Sequence, residues 1–363
     1  MVLKISFLFC LAFLFVINSF SQTKDTSSTF AYSFYVDAYY AAYNDSVGEG
    51  NYVKFPSVSP RNGFGLNTAM FTAQYDAEKV RGMIALQYGD IPKSSWSSTF
   101  NNIMEAHAGV RLCKKLWLDA GFFRTHIGAE GLLPKENFAS AVSVTTYYEP
   151  YYESGVRLNY NPCSKLSLNV YALNGYNIYE DNNKKKSLGL LATYLLGDKG
   201  NIGYDNYIGD DTPTSADTIS HLRFYQNIFF NYQIKKLKVQ IGVDYAMQKN
   251  SKIAQADKSA SMFSGLLSLK YQFSTPFALY ARGETFNDRE GFMSGVIVDK
   301  QNNLTGLILW GATLGAEYKP TDNSYIRFEA RQLQMDKDQE IFRWKDENKS
   351  SRAEIMLNMG ITF

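Results

Sequence analysis

The chain has 363 residues, and its 37 Lys and Arg nearly balance its 35 Asp and Glu, leaving a formal charge of +2. This balance gives no basis for nucleic-acid binding, and we expect no nucleic acid among its partners. Three cysteines are too few for a disulfide-stabilised scaffold. The many aromatic residues, 26 Tyr, 25 Phe and 4 Trp, are typical instead of a membrane β-barrel, which concentrates aromatic side chains at both interfaces.

The N-terminal segment is typical of a secretory signal peptide. One lysine precedes an apolar core from Ile5 to Ile17, and Ser19 and Ser21 take the small-residue positions before a cleavage site. The alternative is a membrane anchor, but the core is shorter than the roughly 20 residues that a spanning helix needs. We therefore predict a signal peptide over residues 1–21 and one barrel domain over residues 22–363.

Segments of alternating apolar and polar residues fill the rest of the chain, and the spacers between them alternate in length. Seven short spacers fall near residues 76–79, 113–115, 161–165, 197–200, 234–236, 274–276 and 319–323. Eight long polar spacers fall near residues 44–63, 90–100, 128–150, 178–186, 209–219, 249–259, 288–304 and 336–350. The pattern predicts an all-β transmembrane, antiparallel, up-and-down barrel of about 16 strands, within a range of 14 to 18, with periplasmic turns and extracellular loops.

Alternation also predicts which side chains point inward. Between residues 236 and 247, apolar residues such as Val239, Ile241 and Val243 oppose a polar row with Lys238 and Asp244. In a lipid-facing barrel the apolar row points outward and the polar row lines a wet interior. A soluble β-sandwich would invert these faces, but it has no reason to place all its short turns at one end.

The last residues continue the alternation. Ile355, Leu357, Met359, Ile361 and Phe363 share one face of the final strand. We predict that Phe363 is the C-terminal signal by which barrel insertion machinery recognises the chain. The alternative is that Phe363 only anchors the interface and pairs with the first strand.

Three stretches carry a family resemblance. They are "YYESGVRLNYNP" (151–162), "LSLNVYALNGYNIYEDNNKKKSLGL" (166–190) and the terminal "NMGITF". With them, most of the chain after the signal peptide resembles the OmpL-like putative β-barrel porin family. The resemblance implies an outer-membrane porin and adds no reaction centre.

Sixteen strands leave room for an aqueous channel, so we expect a passive water-filled diffusion channel for small polar solutes or ions. The predicted pore-lining residues are charged residues of the polar rows, which either select solutes or only pair across strands and stiffen the wall. These candidates are Glu105, Arg111, Glu153, Arg157, Asp244, Lys270, Arg282, Glu284, Glu317, Arg327, Glu329, Arg331, Arg352 and Glu354. We also expect one long loop, 128–150 or 44–63, to fold inward and narrow the pore.

Other functions stay open. A hydrolase inside the barrel could use His107, and a structural or adhesive barrel would need no open pore. An energised nutrient receptor needs an N-terminal plug, whereas strand one is expected to begin by about Thr29. We expect no catalytic centre, no metal and no cofactor, and the expected partners are outer-membrane lipid, the insertion machinery, small polar solutes and, by analogy, a homotrimer. Cys113 and Cys163 fall in separate turns, where free thiols are slightly favoured over a disulfide.

Overall fold

The computed structural model describes residues 28–45, 62–215 and 219–363. Within these residues, sixteen antiparallel strands form one closed barrel in which each strand pairs with its neighbours in the chain. The last strand closes the barrel on the first, with pairs running from Tyr35 opposite Thr362 to Tyr43 opposite Glu354. The predicted signal peptide over residues 1–21 lies outside the described residues.

The observed strands confirm the predicted number of sixteen and the predicted alternation of short turns and long loops. Seven connections are short, and they share one end of the barrel, which we call the turn end; the opposite end, with the long connections, is the loop end. The strands are β1 (Thr29–Tyr43), β2 (Gly63–Asp76), β3 (Val80–Tyr88), β4 (Ile103–Cys113), β5 (Leu116–Arg124), β6 (Tyr152–Cys163), β7 (Leu166–Leu173), β8 (Ser187–Leu195), β9 (Gly200–Gly209), β10 (Arg223–Ile234), β11 (Leu237–Gln248), β12 (Ala260–Gln272), β13 (Phe277–Asn287), β14 (Ile308–Tyr318), β15 (Ser324–Met335) and β16 (Ser351–Thr362).

The long connections carry short elements of their own. Helix α1 (Asp90–Ser95) follows β3, and helix α2 (Val144–Tyr148) lies between β5 and β6, after a 3₁₀ turn at Pro134–Glu136. Two small hairpins lie at the loop end, one pairing Ile297–Val298 with Leu304–Thr305 and the other pairing Phe342–Trp344 with Glu347–Lys349. Among the described residues, no helix is both long and apolar enough to cross a membrane.

The outer face of the barrel is apolar. Side chains such as Leu314, Phe328 and Leu357 are at least half exposed, while their strand neighbours Thr313, Glu329 and Asn358 are buried. Because successive strand residues point to opposite faces, one row meets the surroundings and the other meets the interior. An exposed apolar band of this kind fits lipid rather than water.

Inside the wall, tyrosine rings lie over glycines of the next strand. A Cβ added to Gly315 would lie 2.1 Å from the Tyr280 ring, and one added to Gly360 would lie 2.4 Å from the Tyr325 ring. Each tyrosine therefore covers a site where only glycine leaves room. This packing fixes the rings flat against the wall.

The seam between the first and last strands is held by a buried carboxylate. Asp37 of β1 accepts hydrogen bonds from Asn67 (2.6 Å), Asn358 (2.9 Å) and the Tyr325 hydroxyl (2.5 Å). These donors come from β2, β16 and β15, so one side chain ties four strands together. A buried carboxylate is tolerated here because several donors satisfy its oxygens.

Both cysteines after the predicted signal peptide are exposed free thiols. Cys113 ends β4 and Cys163 ends β6, each at a separate short turn. The structure therefore agrees with the expectation of two free thiols.

Candidate functional site

One long connection folds into the barrel. Residues 125–151, here called the inward loop, leave β5, cross the interior against the inner faces of the later strands and return to β6. At its start the buried His126 ring contacts the Glu153 carboxylate (2.9 Å) and the Asn206 carbonyl oxygen (2.8 Å). These two contacts attach the beginning of the loop to β6 and β9.

The middle of the inward loop is held by two charged residues of β13. Arg282 donates to the Glu130 carboxylate (2.8 Å) and to the Ala141 carbonyl oxygen (2.5 Å). Glu284 accepts a hydrogen bond from the Val144 backbone N–H (2.6 Å). Arg282 and Glu284 therefore hold the outgoing and returning segments of the loop at one place on the wall.

The far end of the inward loop is held by β15. Arg327 donates to the carbonyl oxygens of Pro134 (2.7 Å) and Asn137 (3.1 Å). Glu329 accepts from the backbone N–H groups of Ser140 (2.8 Å) and Ala141 (3.1 Å). Charged side chains thus satisfy backbone groups that would otherwise lie unpaired inside the barrel. The loop is consequently fixed to the far wall rather than extended into solvent.

Charged side chains of alternating sign continue from these anchors along the wall. Successive contacts join Glu130 to Arg282 (2.8 Å), Arg282 to Glu284 (3.4 Å), Glu284 to Arg331 (2.9 Å), Arg331 to Glu354 (3.8 Å) and Glu354 to Arg352 (3.1 Å). We call these six residues the buried charge row, since each is at most 6% exposed. Each charge has a neighbour of opposite sign, which offsets the cost of removing it from water.

A group of acidic residues lies where the inward loop returns to β6. Asp244 accepts hydrogen bonds from Asn227 (2.6 Å), the Tyr225 hydroxyl (3.0 Å) and Ser264 (3.1 Å). Glu149 of the loop lies beside this group, with the Tyr225 hydroxyl 3.4 Å from its carboxylate. Burial, reinforced by the negative charges of Asp244 and Asp205, raises the pKa of the Glu149 carboxyl well above its ordinary value.

Apolar side chains complete the interior around the inward loop. Ile127, Ala141 and Val144 of the loop belong to one buried cluster with inward-facing residues of the strands, such as Leu333 and Met356. In this part of the barrel the interior therefore holds apolar contacts as well as charged pairs. Alternation predicts that these strand positions face inward, but it does not reveal that a loop covers them.

The opposite wall carries arginines that remain partly exposed. Arg81 and Arg157 both contact the buried Asp119 carboxylate, at 2.6 Å and 3.0 Å. The guanidinium groups of Arg81 and Arg111 lie 4.5 Å and 4.6 Å from the Trp117 ring centre. Two arginines of this wall therefore share one carboxylate near the turn end.

All fourteen predicted lining residues lie on inward-facing rows, but their surroundings differ. Glu105, Arg111, Arg157 and Lys270 keep solvent exposure. The other ten are buried: Glu153, Asp244, Arg282, Glu284, Glu317, Arg327, Glu329, Arg331, Arg352 and Glu354. Most of these contact the inward loop or each other. This agrees with the alternative prediction that the charges pair across strands and stiffen the wall. Whether any of the fourteen lines an open pore stays a prediction.

The inward loop itself agrees with the expectation that residues 128–150 fold into the barrel. The other loop proposed for this role, 44–63, lies mostly outside the described residues. Several contributors to the interior had no signal in the sequence, among them Glu130 and Lys135, because loop residues follow no strand alternation. Asp205 does follow it, on the inward row of β9, and could have been named from the pattern.

Among the described residues, no group of three or more His, Cys, Asp or Glu side chains is arranged to hold a metal ion. The charged contacts inside the barrel are pairs and rows between strands and loop.

The family comparison covers the whole barrel. Residues 29–363 match the family model described as putative beta-barrel porin-2, OmpL-like. The chain belongs to this OmpL-like porin family. No curated protein matches the chain.

Solved structures with the same fold are outer-membrane barrels. The outer membrane channel DcaP of Acinetobacter baumannii has a TM-score of 0.64 at 11% identity, with 94% of this chain and 99% of that chain covered. A loop-deletion form of OmpT, an outer membrane protein of Vibrio cholerae, has a TM-score of 0.61 at 12% identity, with 93% and 100% covered. An anion-selective porin from Comamonas acidovorans has a TM-score of 0.57 at 7% identity, with 93% and 100% covered.

At such low identity these structures establish the fold alone. Family membership and the sixteen-stranded barrel together place the chain among the porin-like barrels of the outer membrane.

Proposed function

We propose that this OmpL-like porin is a passive diffusion channel of the outer membrane for small polar solutes or ions. The observation that carries the proposal is the inward loop, which is fixed across the interior by Arg282, Glu284, Arg327 and Glu329. A barrel of this size is wide enough for water unless something fills it. The loop is therefore the element that sets the size limit for a passing solute.

The orientation and export of the barrel belong to the same proposal. The short turns face the periplasm and the long loops face outward, after a signal peptide over residues 1–21 is removed. Outer-membrane lipid surrounds the apolar face, and three copies assemble by analogy with other sixteen-stranded porins.

Phe363 is proposed as the residue that barrel insertion machinery reads. Its N–H donates to the Phe34 carbonyl oxygen (3.0 Å), and its own carbonyl accepts from the Phe34 N–H (2.7 Å). The two rings stack at 5.5 Å, and the Phe363 side chain is 64% exposed on the outer face. Pairing with β1 and recognition by the machinery are therefore compatible roles.

A non-enzymatic role is favoured over a hydrolase by the contacts of the histidines. His107 lies 3.7 Å from the Glu105 carboxylate and packs on the Phe123 ring, with no serine in hydrogen-bonding contact in the described structure. His221 lies 3.2 Å from the Ser251 hydroxyl, but that hydroxyl donates to the Lys249 carbonyl oxygen (2.9 Å). Its proton is therefore not directed to the imidazole, as nucleophilic catalysis requires. Hydrolysis of an ester or peptide that is abolished by His107→Ala would contradict this assignment.

The size limit can be tested by solute uptake into liposomes. We expect the refolded barrel to admit small uncharged sugars, and a variant with residues 129–148 replaced by a short glycine-serine linker to admit larger ones. The deletion can be closed, because Gly128 lies directly against the Glu149 side chain. The readout is the largest sugar that each variant admits.

A matched control removes residues 254–257 from the exposed connection between β11 and β12, which should leave the size limit unchanged. If the wild type and the 129–148 variant had the same size limit for sugars, the inward loop would not be the element that sets this limit. No uptake by either barrel would contradict the diffusion channel itself.

A further inference from the structure

A cavity lies at the turn end, away from the buried charge row. Its volume is about 480 Å³. The inward loop contributes Lys135, the strands contribute Lys238, Lys270, Glu317 and Arg327, and the turn 319–323 lies at its rim with Lys319. Five basic side chains therefore surround a space that only three acidic side chains share, Glu136, Glu317 and Asp322.

Two of these lysines face each other across neighbouring strands. Lys238 of β11 pairs in register with Lys270 of β12, and both lie on inward-facing rows. Side chains that are directly opposite on one face of a sheet are close, and like charges in such positions are unfavourable. A pair of this kind needs an acidic neighbour or a bound anion to balance it.

The acidic residues of the cavity do not supply that balance. Glu317 is shared between Lys270 (2.6 Å) and Arg327 (2.7 Å), so one carboxylate serves two cations. Glu136 is engaged by Arg124 outside the cavity (2.7 Å). Asp322 lies on the exposed turn. None of the three acidic residues of the cavity therefore balances the positive charge of Lys238.

Two lysines are available to a solute. Lys238 is exposed and forms no ion pair with any described carboxylate, and the ammonium of Lys135 lies over the Tyr35 ring (4.3 Å) rather than on an acid. Arg327, in contrast, is committed to Glu317 and to the carbonyl oxygens of the inward loop. Arg327 thus lines the cavity but is engaged in holding the loop, whereas Lys238 and Lys135 are not engaged by an acidic side chain.

We propose that this cavity is a binding site for small dianions that carry phosphate or carboxylate groups, with Lys238 and Lys135 as the principal contacts. The proposal names the solute class of the channel and, in that respect, rests on the proposed function. Oxygen anions of this class match an ammonium group as a charge-assisted acceptor. Two lysines on separate elements, a strand and the inward loop, would contact two anionic oxygens of one solute.

The site can be measured as binding, independently of conduction. Inorganic phosphate is titrated calorimetrically into the refolded full barrel in detergent, at constant ionic strength maintained with sodium chloride. We expect saturable binding by the wild type, at least about fivefold weaker binding by Lys238→Gln because one close charge is lost, and no detectable binding by the Lys238→Gln, Lys135→Gln double variant. Lys238→Glu should abolish binding on its own.

Lys235→Gln is the matched control. Lys235 lies on the exposed turn three residues before Lys238 and outside the cavity, so phosphate binding should not change. Absence of saturable binding by the wild type would overturn the proposal, and so would equal weakening by Lys235→Gln and Lys238→Gln.

The outcomes separate this inference from the proposed function. If the barrel binds phosphate through Lys238 but passes no solute, the proposed binding site is supported and the proposed channel function is contradicted. If the barrel passes sugars but does not bind phosphate, the proposed channel function is supported and the proposed binding site is contradicted.

Discussion

The buried charge row and the turn-end cavity use the same residue types for different purposes. In the row, Arg282 and Arg331 are at most 2% exposed and each contacts an acidic side chain. In the cavity, Lys238 is exposed and has no described carboxylate partner. A charge that is buried and paired stabilises a conformation, whereas a charge that is exposed and unpaired remains available to a solute.

The inward position of a charged residue, which strand alternation predicts, does not decide between the two roles. The decisive feature is whether the residue is buried in contact with an opposite charge or with the inward loop. Charges near the loop anchors should therefore affect stability and pore width, and charges near the turn end should affect selectivity.

The largest expected effect comes from breaking the buried charge row. Arg282→Met leaves the Glu130 carboxylate buried without its cation and removes a donor to the loop backbone. Loss of one partner from a buried ion pair costs about 3–5 kcal/mol, and we expect a decrease of this size in the free energy of unfolding. Urea titration of the refolded barrel, followed by tryptophan fluorescence, measures it.

Arg111→Met is the control for this experiment. Arg111 is exposed and lies over the Trp117 ring, so its removal should cost less than about 1 kcal/mol. If the two variants lost equal stability, the distinction between buried and exposed charges would fail.

A smaller effect is expected from Glu149, which sharpens the comparison because it is buried among like charges. Its pKa is raised, mainly by burial and then by Asp244 and Asp205. A carboxyl group whose pKa is raised in the folded state contributes stability that is present at pH values below its ordinary pKa. This contribution is lost as the pH rises through the pKa of the folded state. The wild type should therefore lose stability over that pH range.

Glu149→Gln keeps the shape of the side chain without its charge. We expect the free energy of unfolding of this variant to fall less steeply than that of wild type as pH rises above the ordinary pKa of 4.5. Parallel curves for the two proteins would show that Glu149 is not the group responsible.

Much of the fold could be predicted from the sequence because strand alternation and connection length are local signals. The sixteen strands, the seven short turns and the start of β1 at Thr29 agree with the structure. The sequence also predicts that one long loop, 128–150 or 44–63, folds inward, and the structure shows this for the first of the two. Its contacts could not be predicted, because Arg282 and Arg327 reach loop residues more than 130 positions away.

The candidate site was predictable only in part, and for the same reason. Alternation places Glu329, Arg331 and Glu354 on inward rows, but it carries no information on what covers them. Lys238 follows the same pattern, yet its importance comes from the register that sets it opposite Lys270 and from a cavity built by distant elements. Pairing register and loop packing are properties of the closed barrel.

The most direct test of the central claim is single-channel current through the refolded barrel in a planar bilayer under a salt gradient. We expect discrete open steps and a reversal potential that indicates anion preference. That preference should weaken between about 0.1 M and 1 M salt, as the screening length falls from about 10 Å to about 3 Å. A folded, inserted barrel that carries no current would contradict the account.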